Sequence, residues 1–149
     1  MVSPVYVANA PFAEEVLETV DALLARGGVD EAVRLIQRVL EEQGDRMIGS
    51  SDPEVFVSVR ERVHGFVASA PPLLEAYRVR QSPRARTLLS EGAWAQVARS
   101  YWLTPAGFEA GLRDAQSLIE SGSFRAGLRA LDRLLGHPDA RDAAMAIEA

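Results

Sequence analysis

Histidine is the residue of this chain best suited to acid–base or metal chemistry, because its ordinary pKa lies near neutral pH. The sequence has two histidines, His64 and His137, and no cysteine. Glu61 precedes His64 by three residues, so the two side chains share a face if the segment is helical. A Glu-x-x-His pair can serve a di-metal site only where a second such pair and further carboxylates converge on it. The sequence has no second pair and no His-x3-His zinc spacing.

Other motifs of catalysis and nucleotide binding are also missing. Adjacent acids such as Glu14-Glu15 point in different directions on a helix, so they do not converge as a general acid–base pair must. Neither Ser50-Ser51 nor Ser121-Gly122-Ser123 lies in the Gly-x-Ser-x-Gly elbow of a serine nucleophile. No Gly-x-Gly-x-x-Gly or Walker loop is present. The sequence therefore predicts no catalytic, cofactor-binding or metal-binding residues.

The strongest charge feature is a run of four arginines within nine residues. They are Arg78, Arg80, Arg84 and Arg86. Residues 46–104 hold eight arginines against five acids, whereas residues 1–45 hold three against nine. This separation of charge can orient the chain against an acidic partner, while a solvated face with intramolecular pairs explains it as well. Together with Trp102, an aromatic that can anchor a partner at a groove rim, these arginines are the candidate interaction surface.

Composition limits the classes of partner. The chain of 149 residues is 48% apolar and 25% charged, which is typical of a globular protein with a sizeable core. A net charge of −5 disfavours general binding to nucleic acid or to an anionic membrane. No apolar run approaches the roughly 20 residues of a membrane helix, and the N-terminus lacks the features of a signal peptide. We therefore expect a protein partner or an adjacent domain of a parent chain, without nucleic acid or membrane insertion.

Helices are predicted to position all of these residues. Apolar residues recur at helical spacing between glycine and proline breaks, which predicts hairpins near 13–43, 84–103 and 105–136, with a linker near 44–54. From Pro53 onward the chain is interpreted as helical, although the apolar run at 55–57 hints at a strand.

Three further expectations concern the second half of the chain. Ser82-Pro83 is expected to end one helix and begin another, because proline has no backbone N–H to donate. A last helix is expected to begin near His137. The helix before it is predicted to have an apolar stripe, which comprises Phe124, Leu128, Leu131, Leu134 and Leu135.

The sequence pattern of one helical hairpin occurs more than once in the chain. Residues 22–40 align with residues 117–135 at an offset of 95, and residues 88–99 form a shorter third copy. The glycines between the two helices of each copy are Gly27, Gly92 and Gly122. The apolar and small residues that follow each glycine have spacings that resemble the tetratricopeptide repeat (TPR), in which helical hairpins stack side by side.

Four segments carry a second resemblance. They are "SVR" at 58–60, "PPLLEAYR" at 71–78, "RSYWLTPAG" at 99–107 and "ESGSFRAGLRALDRLL" at 120–135. Residues 12–135 resemble the helical region that precedes a PQQ-like β-propeller in large planctomycete envelope proteins. The resemblance implies a helical module beside a propeller in the cell envelope or periplasm, and a cytoplasmic location is the alternative.

The fold predicted is all-α, a TPR-like array of short antiparallel helical hairpins forming a single domain over residues 1–149. The function predicted is a non-catalytic scaffold for protein–protein or inter-domain interaction. Two alternatives stay open: a small helical enzyme or ligand-binding domain that uses His64 with Glu61, and a weak nucleic-acid binder that uses the arginine run.

Overall fold

A computed structural model describes residues 11–49, 52 and 55–140. It is mostly helical, which confirms the helical class, and the described part of the chain adds two short strands. The elements in chain order are α1 Pro11–Ala25, α2 Val29–Gln43, β1 Met47–Gly49, β2 Phe56–Ser58, α3 Val59–Ala68, α4 Pro71–Ser90, α5 Trp94–Ser100, α6 Pro105–Glu120 and α7 Phe124–Leu135. Residues 141–149, where most of the predicted last helix falls, lie outside the described residues.

The chain divides into two compact units, where the sequence predicts one domain. The first unit ends at Ala76 and the second begins at Tyr77, so the boundary falls within α4. The hairpin predicted near 13–43 is α1–α2 in the first unit, and the hairpin predicted near 105–136 is α6–α7 in the second. The hairpin predicted near 84–103 corresponds to the end of α4 together with α5.

A small antiparallel sheet corrects the helical interpretation of the segment after Pro53. Strand β2 pairs with β1 so that Val57 lies opposite Ile48, which is buried. The helix begins only at Val59, because the Ser58 hydroxyl accepts from the backbone N–H of Glu61 while the Glu61 carboxylate accepts from that of Ser58. This reciprocal capping box gives α3 a sharp start. Phe56 and Val57 before it, an aromatic and a β-branched residue, pair as a strand.

Helix α3 covers the first hairpin. It packs against both α1 and α2, and it buries Val59, Val63 and Val67, which recur every four residues along one side. Two arginines of α3 form ion pairs with acids in or next to the hairpin. Arg62 pairs with Glu14 of α1 at 3.1 Å, and Arg60 pairs with Asp45, just after α2, at 2.7 Å. The first unit therefore has a three-helix core with charged pairs at its edge.

Helix α4 runs unbroken through Pro83, so the expected break at Ser82-Pro83 is wrong. Proline leaves one carbonyl in the preceding turn, that of Val79, without its helical donor. Both Pro83 and Val79 are exposed, so water can satisfy that carbonyl. The loss of a single hydrogen bond on the solvent side does not end a helix whose opposite side is packed.

The core of the second unit forms where α4, α5 and α6 meet. Its buried residues are Ala85, Leu88, Val97, Tyr101, Ala106 and Ala110. Helix α6 begins as the Thr104-Pro105 pair predicts, since the Thr104 hydroxyl accepts from the backbone N–H of Gly107 and proline occupies the first turn. Helix α7 then packs antiparallel against α6.

The three repeat glycines form equivalent turns. Gly27, Gly92 and Gly122 have φ angles of 79°, 81° and 83°, a left-handed conformation that favours glycine. In each turn the residue after the glycine donates its N–H to a leucine carbonyl five residues earlier, at 2.7, 2.9 and 2.8 Å. This is the hydrogen bond of a Schellman helix end, so the repeated sequence encodes a repeated turn.

Gly111 allows Trp102 and Leu134 to approach α6 closely. A Cβ at this position would lie 2.8 Å from Cζ3 of Trp102 and 2.9 Å from Cδ2 of Leu134.

Among the described residues, no helix combines the length and apolar character needed to cross a membrane.

Replacing Gly111 with alanine should lower the free energy of unfolding by about 1–3 kcal/mol, the usual cost of adding a methyl group to a filled core. The matched control is Gly65→Ala in α3, where a Cβ meets nothing within 4 Å and where alanine should stabilise the helix by about 0.5–1 kcal/mol. Urea unfolding followed by circular dichroism measures both. A Gly111→Ala protein as stable as wild type would contradict the close packing of Trp102 on α6.

Candidate functional site

His64 and Glu61 both lie in α3 but have different surroundings. His64 is buried in α3, while Glu61 is exposed and its carboxylate accepts the backbone N–H of Ser58 in the capping box. Within the described ranges, no group of three or more histidine, cysteine or acidic side chains is placed to hold a metal ion. The geometry therefore gives Glu61 a structural role at the start of the helix.

The four arginines of the sequence run do not share one surface. Arg78 is half-buried, and its guanidinium donates to the Leu103 carbonyl at 2.9 Å and to Asp139 Oδ1 at 2.7 Å. Arg80, Arg84 and Arg86 are exposed. At about 100° per residue, Arg86 projects well away from the side of α4 that carries Arg80 and Arg84.

Trp102 lies in the core and not at a groove rim. It is 6% exposed, and its ring and the His137 ring form a T-shaped pair with a centroid distance of 5.1 Å. The Arg133 guanidinium of α7 lies over the Trp102 ring at 4.1 Å, a distance typical of a cation–π contact. Trp102 therefore joins α7 to the loop before α6.

His137 is the centre of a buried polar cluster. Its Nε2 lies 2.5 Å from the carbonyl oxygen of Trp102, and its Nδ1 accepts the backbone N–H of Asp139 at 3.0 Å. These partners identify the neutral tautomer with the proton on Nε2. The ring also lies 5.0 Å from that of Phe108. Burial lowers the pKa of His137, opposed by the hydrogen bond to Trp102 and by the Asp139 carboxylate, while Arg78 lowers it further.

The His137 cluster connects distant parts of the second unit. Both ring nitrogens are engaged, and Asp139 Oδ1 is occupied by Arg78 while Oδ2 lies 3.8 Å from Nδ1. The cluster thus links the chain after α7 to α4 and to the loop before α6. Sequence reasoning missed it because the acid stands two residues after the histidine, in a turn, and because Arg78 is distant in the sequence.

The most unusual surface of the described chain is apolar. Six large side chains on α6 and α7 are exposed, and we call this set the α6–α7 face. Its residues are Leu112, Ile119, Phe124, Leu128, Leu131 and Leu135. Leu128 and Leu135 are 64% and 77% exposed. Of the apolar stripe that the sequence predicts along α7, only Leu134 is buried, at 4% exposure.

The exposed residues of the two helices adjoin. In α6, Leu112 and Ile119 are seven residues apart and so lie on one side of the helix. Ile119 lies against α7, since a Cβ on Gly127 would come within 2.6 Å of its Cγ1. At the start of α7 the surface also has a shallow depression of about 450 Å³ beside Phe124 and Arg125.

The repeated sequence makes this exposure unexpected. At the offset of 95 residues, the α6–α7 face corresponds to Leu17, Leu24, Val29, Val33, Ile36 and Leu40 of the first hairpin. Val33, Ile36 and Leu40 are at most 1% exposed, and α3 packs against both helices of that hairpin. The second hairpin repeats the apolar pattern, but no described helix covers it.

Comparisons with known proteins identify no relative: no protein-family model matches the chain, and neither a curated protein nor a solved structure does so.

The stability of the second unit should fall as the pH drops below about 6.5, the ordinary pKa of histidine. Because the pKa of His137 is lowered in the folded protein, the unfolded chain takes up this proton first, and protonation therefore favours unfolding. His137→Gln removes this contribution, so its free energy of unfolding should depend less steeply on pH. Urea unfolding can be followed by the fluorescence of Trp94 and Trp102, both in the second unit. Parallel pH curves for the two proteins would contradict the buried neutral imidazole.

Proposed function

We propose that this protein is a non-catalytic helical scaffold that binds protein through the α6–α7 face. The carrying observation is a set of six exposed large apolar side chains whose counterparts in the first hairpin are buried or half-buried. An apolar patch of this kind on a protein surface is typical of an interaction site. We propose that the occupant of this face is a helix, because α3 packs against both helices of the first hairpin.

The finer description of the scaffold is that of a TPR-like array. Three hairpin turns with the same left-handed glycine and the same hydrogen bond support this proposal. So does the repetition of the apolar pattern from α1–α2 in α6–α7. In arrays of this kind each hairpin buries its apolar face against a neighbour, so a hairpin whose apolar face is exposed needs a cover.

The resemblance to propeller-associated envelope proteins gives the proposal a context. A helical module beside a β-propeller would present the α6–α7 face to a neighbouring domain or to another protein of the envelope. The location in the cell envelope rests on this resemblance alone.

The alternative functions receive less support from the described residues. An enzyme using His64 would need Glu61 as its partner, and the Glu61 carboxylate is engaged in the helix cap. A nucleic-acid site would need the arginine run to converge, whereas Arg78 pairs with Asp139. We therefore propose that neither chemistry nor nucleic acid is its role.

Selection of helical peptides from a displayed library, with the full chain as bait, tests the scaffold function. We expect peptides with apolar residues at three- and four-residue spacing to be enriched, since these spacings place apolar groups on one side of a helix. Leu128→Glu should weaken their binding by at least about 10-fold, because it puts a charge at the centre of the apolar face.

Val79→Glu is the matched control, since it makes the same kind of change at a residue of α4 that is 70% exposed. Peptides should bind this variant as they bind wild type. If the library yields no such peptide, or if the selected peptides bind the Leu128→Glu protein equally well, the α6–α7 face is not a recognition surface.

A further inference from the structure

We infer that the occupant of the α6–α7 face is the same face of a second copy of this chain, with the two α7 helices packed antiparallel about a two-fold axis. This inference rests on the proposed function and names the partner of that surface. Two features of α7 carry it: the spacing of its exposed apolar residues and the charges along one side of them.

The apolar spacing along α7 is the same in both directions. Phe124, Leu128, Leu131 and Leu135 are separated by four, three and four residues. An antiparallel copy centred on this stripe therefore places Phe124 opposite Leu135 of the second copy and Leu128 opposite Leu131. A two-fold interface requires such self-complementarity, because one surface serves both partners. The stripe is about 16 Å long at 1.5 Å per residue, so four layers of side chains meet.

The charges beside the stripe are also self-complementary. At 100° per residue, Asp132 and Arg125 lie about 70° and 90° from the centre of the stripe, both on the same side. In an antiparallel pair of identical helices, this side of one helix lies next to the same side of the other. Arg125 then lies within about two residues, or 3 Å along the helix axis, of Asp132 in the second chain. The dimer therefore gains two symmetric ion pairs.

The charged residues involved are available for such contacts. Among the described residues, neither Arg125 nor Asp132 takes part in an ion pair or a hydrogen bond. Arg129 lies about 130° from the centre of the stripe, on the outer side of α7, so the two copies of Arg129 do not oppose each other across the contact. Arg133 is engaged over the Trp102 ring.

Helix α6 extends the interface on the other side of the stripe. Gly127 and Leu134 mark the side of α7 that packs on α6, and the stripe lies between this side and the charged flank. The two-fold axis places each side of α7 next to the same side of α7 in the second chain. Leu112 and Ile119 of α6 therefore meet the α6 helix of the second chain. In the assembled contact the two helices of one hairpin pack on the two helices of the other. The two-fold symmetry closes this contact, so it cannot extend into a filament.

Sedimentation velocity over a wide concentration series tests the inference with the full chain. Wild type should sediment as a species of twice the 16.2 kDa mass of one chain, and Leu128→Glu should sediment as a monomer. Val79→Glu should dimerise like wild type, and circular dichroism should show that both variants retain their helix content.

A charge exchange tests the antiparallel register. Arg125→Asp and Asp132→Arg each place like charges together at both ion pairs, so each variant alone should dimerise at least about 10-fold more weakly than wild type. An equimolar mixture of the two variants restores both pairs in a heterodimer, so dimerisation should return to within about 3-fold of wild type. A folding defect in either variant would not be rescued by mixing.

Each outcome is decisive. A wild-type chain that stays monomeric at every concentration overturns the second-copy inference, and so does a Leu128→Glu dimer as tight as wild type. Failure of the mixture to recover overturns the antiparallel register. If wild type is monomeric but helical peptides still bind the α6–α7 face, the scaffold function holds and its occupant is another protein. If neither a dimer nor peptide binding is found, both proposals fail.

Discussion

Two antiparallel helices carry more apolar surface than they can bury against each other, so a hairpin needs a further helix to cover what remains. In the first unit α3 meets this need with three valines, while two arginine–carboxylate pairs form nearby. In the second unit α5 packs on α6, and α7 packs on α6 as well. The remaining apolar side of the hairpin has no described helix against it, and the functional proposals follow from this difference.

The exposure of the α6–α7 face does not result from a loosely attached helix. Helix α7 is fixed near its end by the His137 cluster, which links it to α4 and to the loop before α6. Arg133 lies over Trp102, and Gly111 allows Trp102 and Leu134 to approach α6 closely. The apolar stripe is therefore held on a well-packed support, which lowers the ordering cost of binding a partner.

The titratable residues that are most suited to acid–base chemistry or ligand binding make hydrogen bonds and ion pairs within the fold. Glu61 starts a helix, His137 satisfies the carbonyl of Trp102, and Arg78 neutralises Asp139. Buried polar groups of this kind have to be satisfied by hydrogen bonds, and here the partners come from distant parts of the chain. Under the proposed function, recognition depends instead on apolar side chains whose spacing is typical of a core.

The sequence alone determined the helical class, the α1–α2 and α6–α7 hairpins and the three glycine turns, because helical periodicity and left-handed glycines are local properties. It predicted a break at Pro83 and a helix at Phe56–Ser58, and there tertiary packing and strand pairing outweighed the local signal. Whether Leu128 is buried like Val33 was undetermined, since the same amphipathic pattern suits a covered helix and an uncovered one. Only the tertiary structure decided this, because burial depends on whether another helix packs against that side.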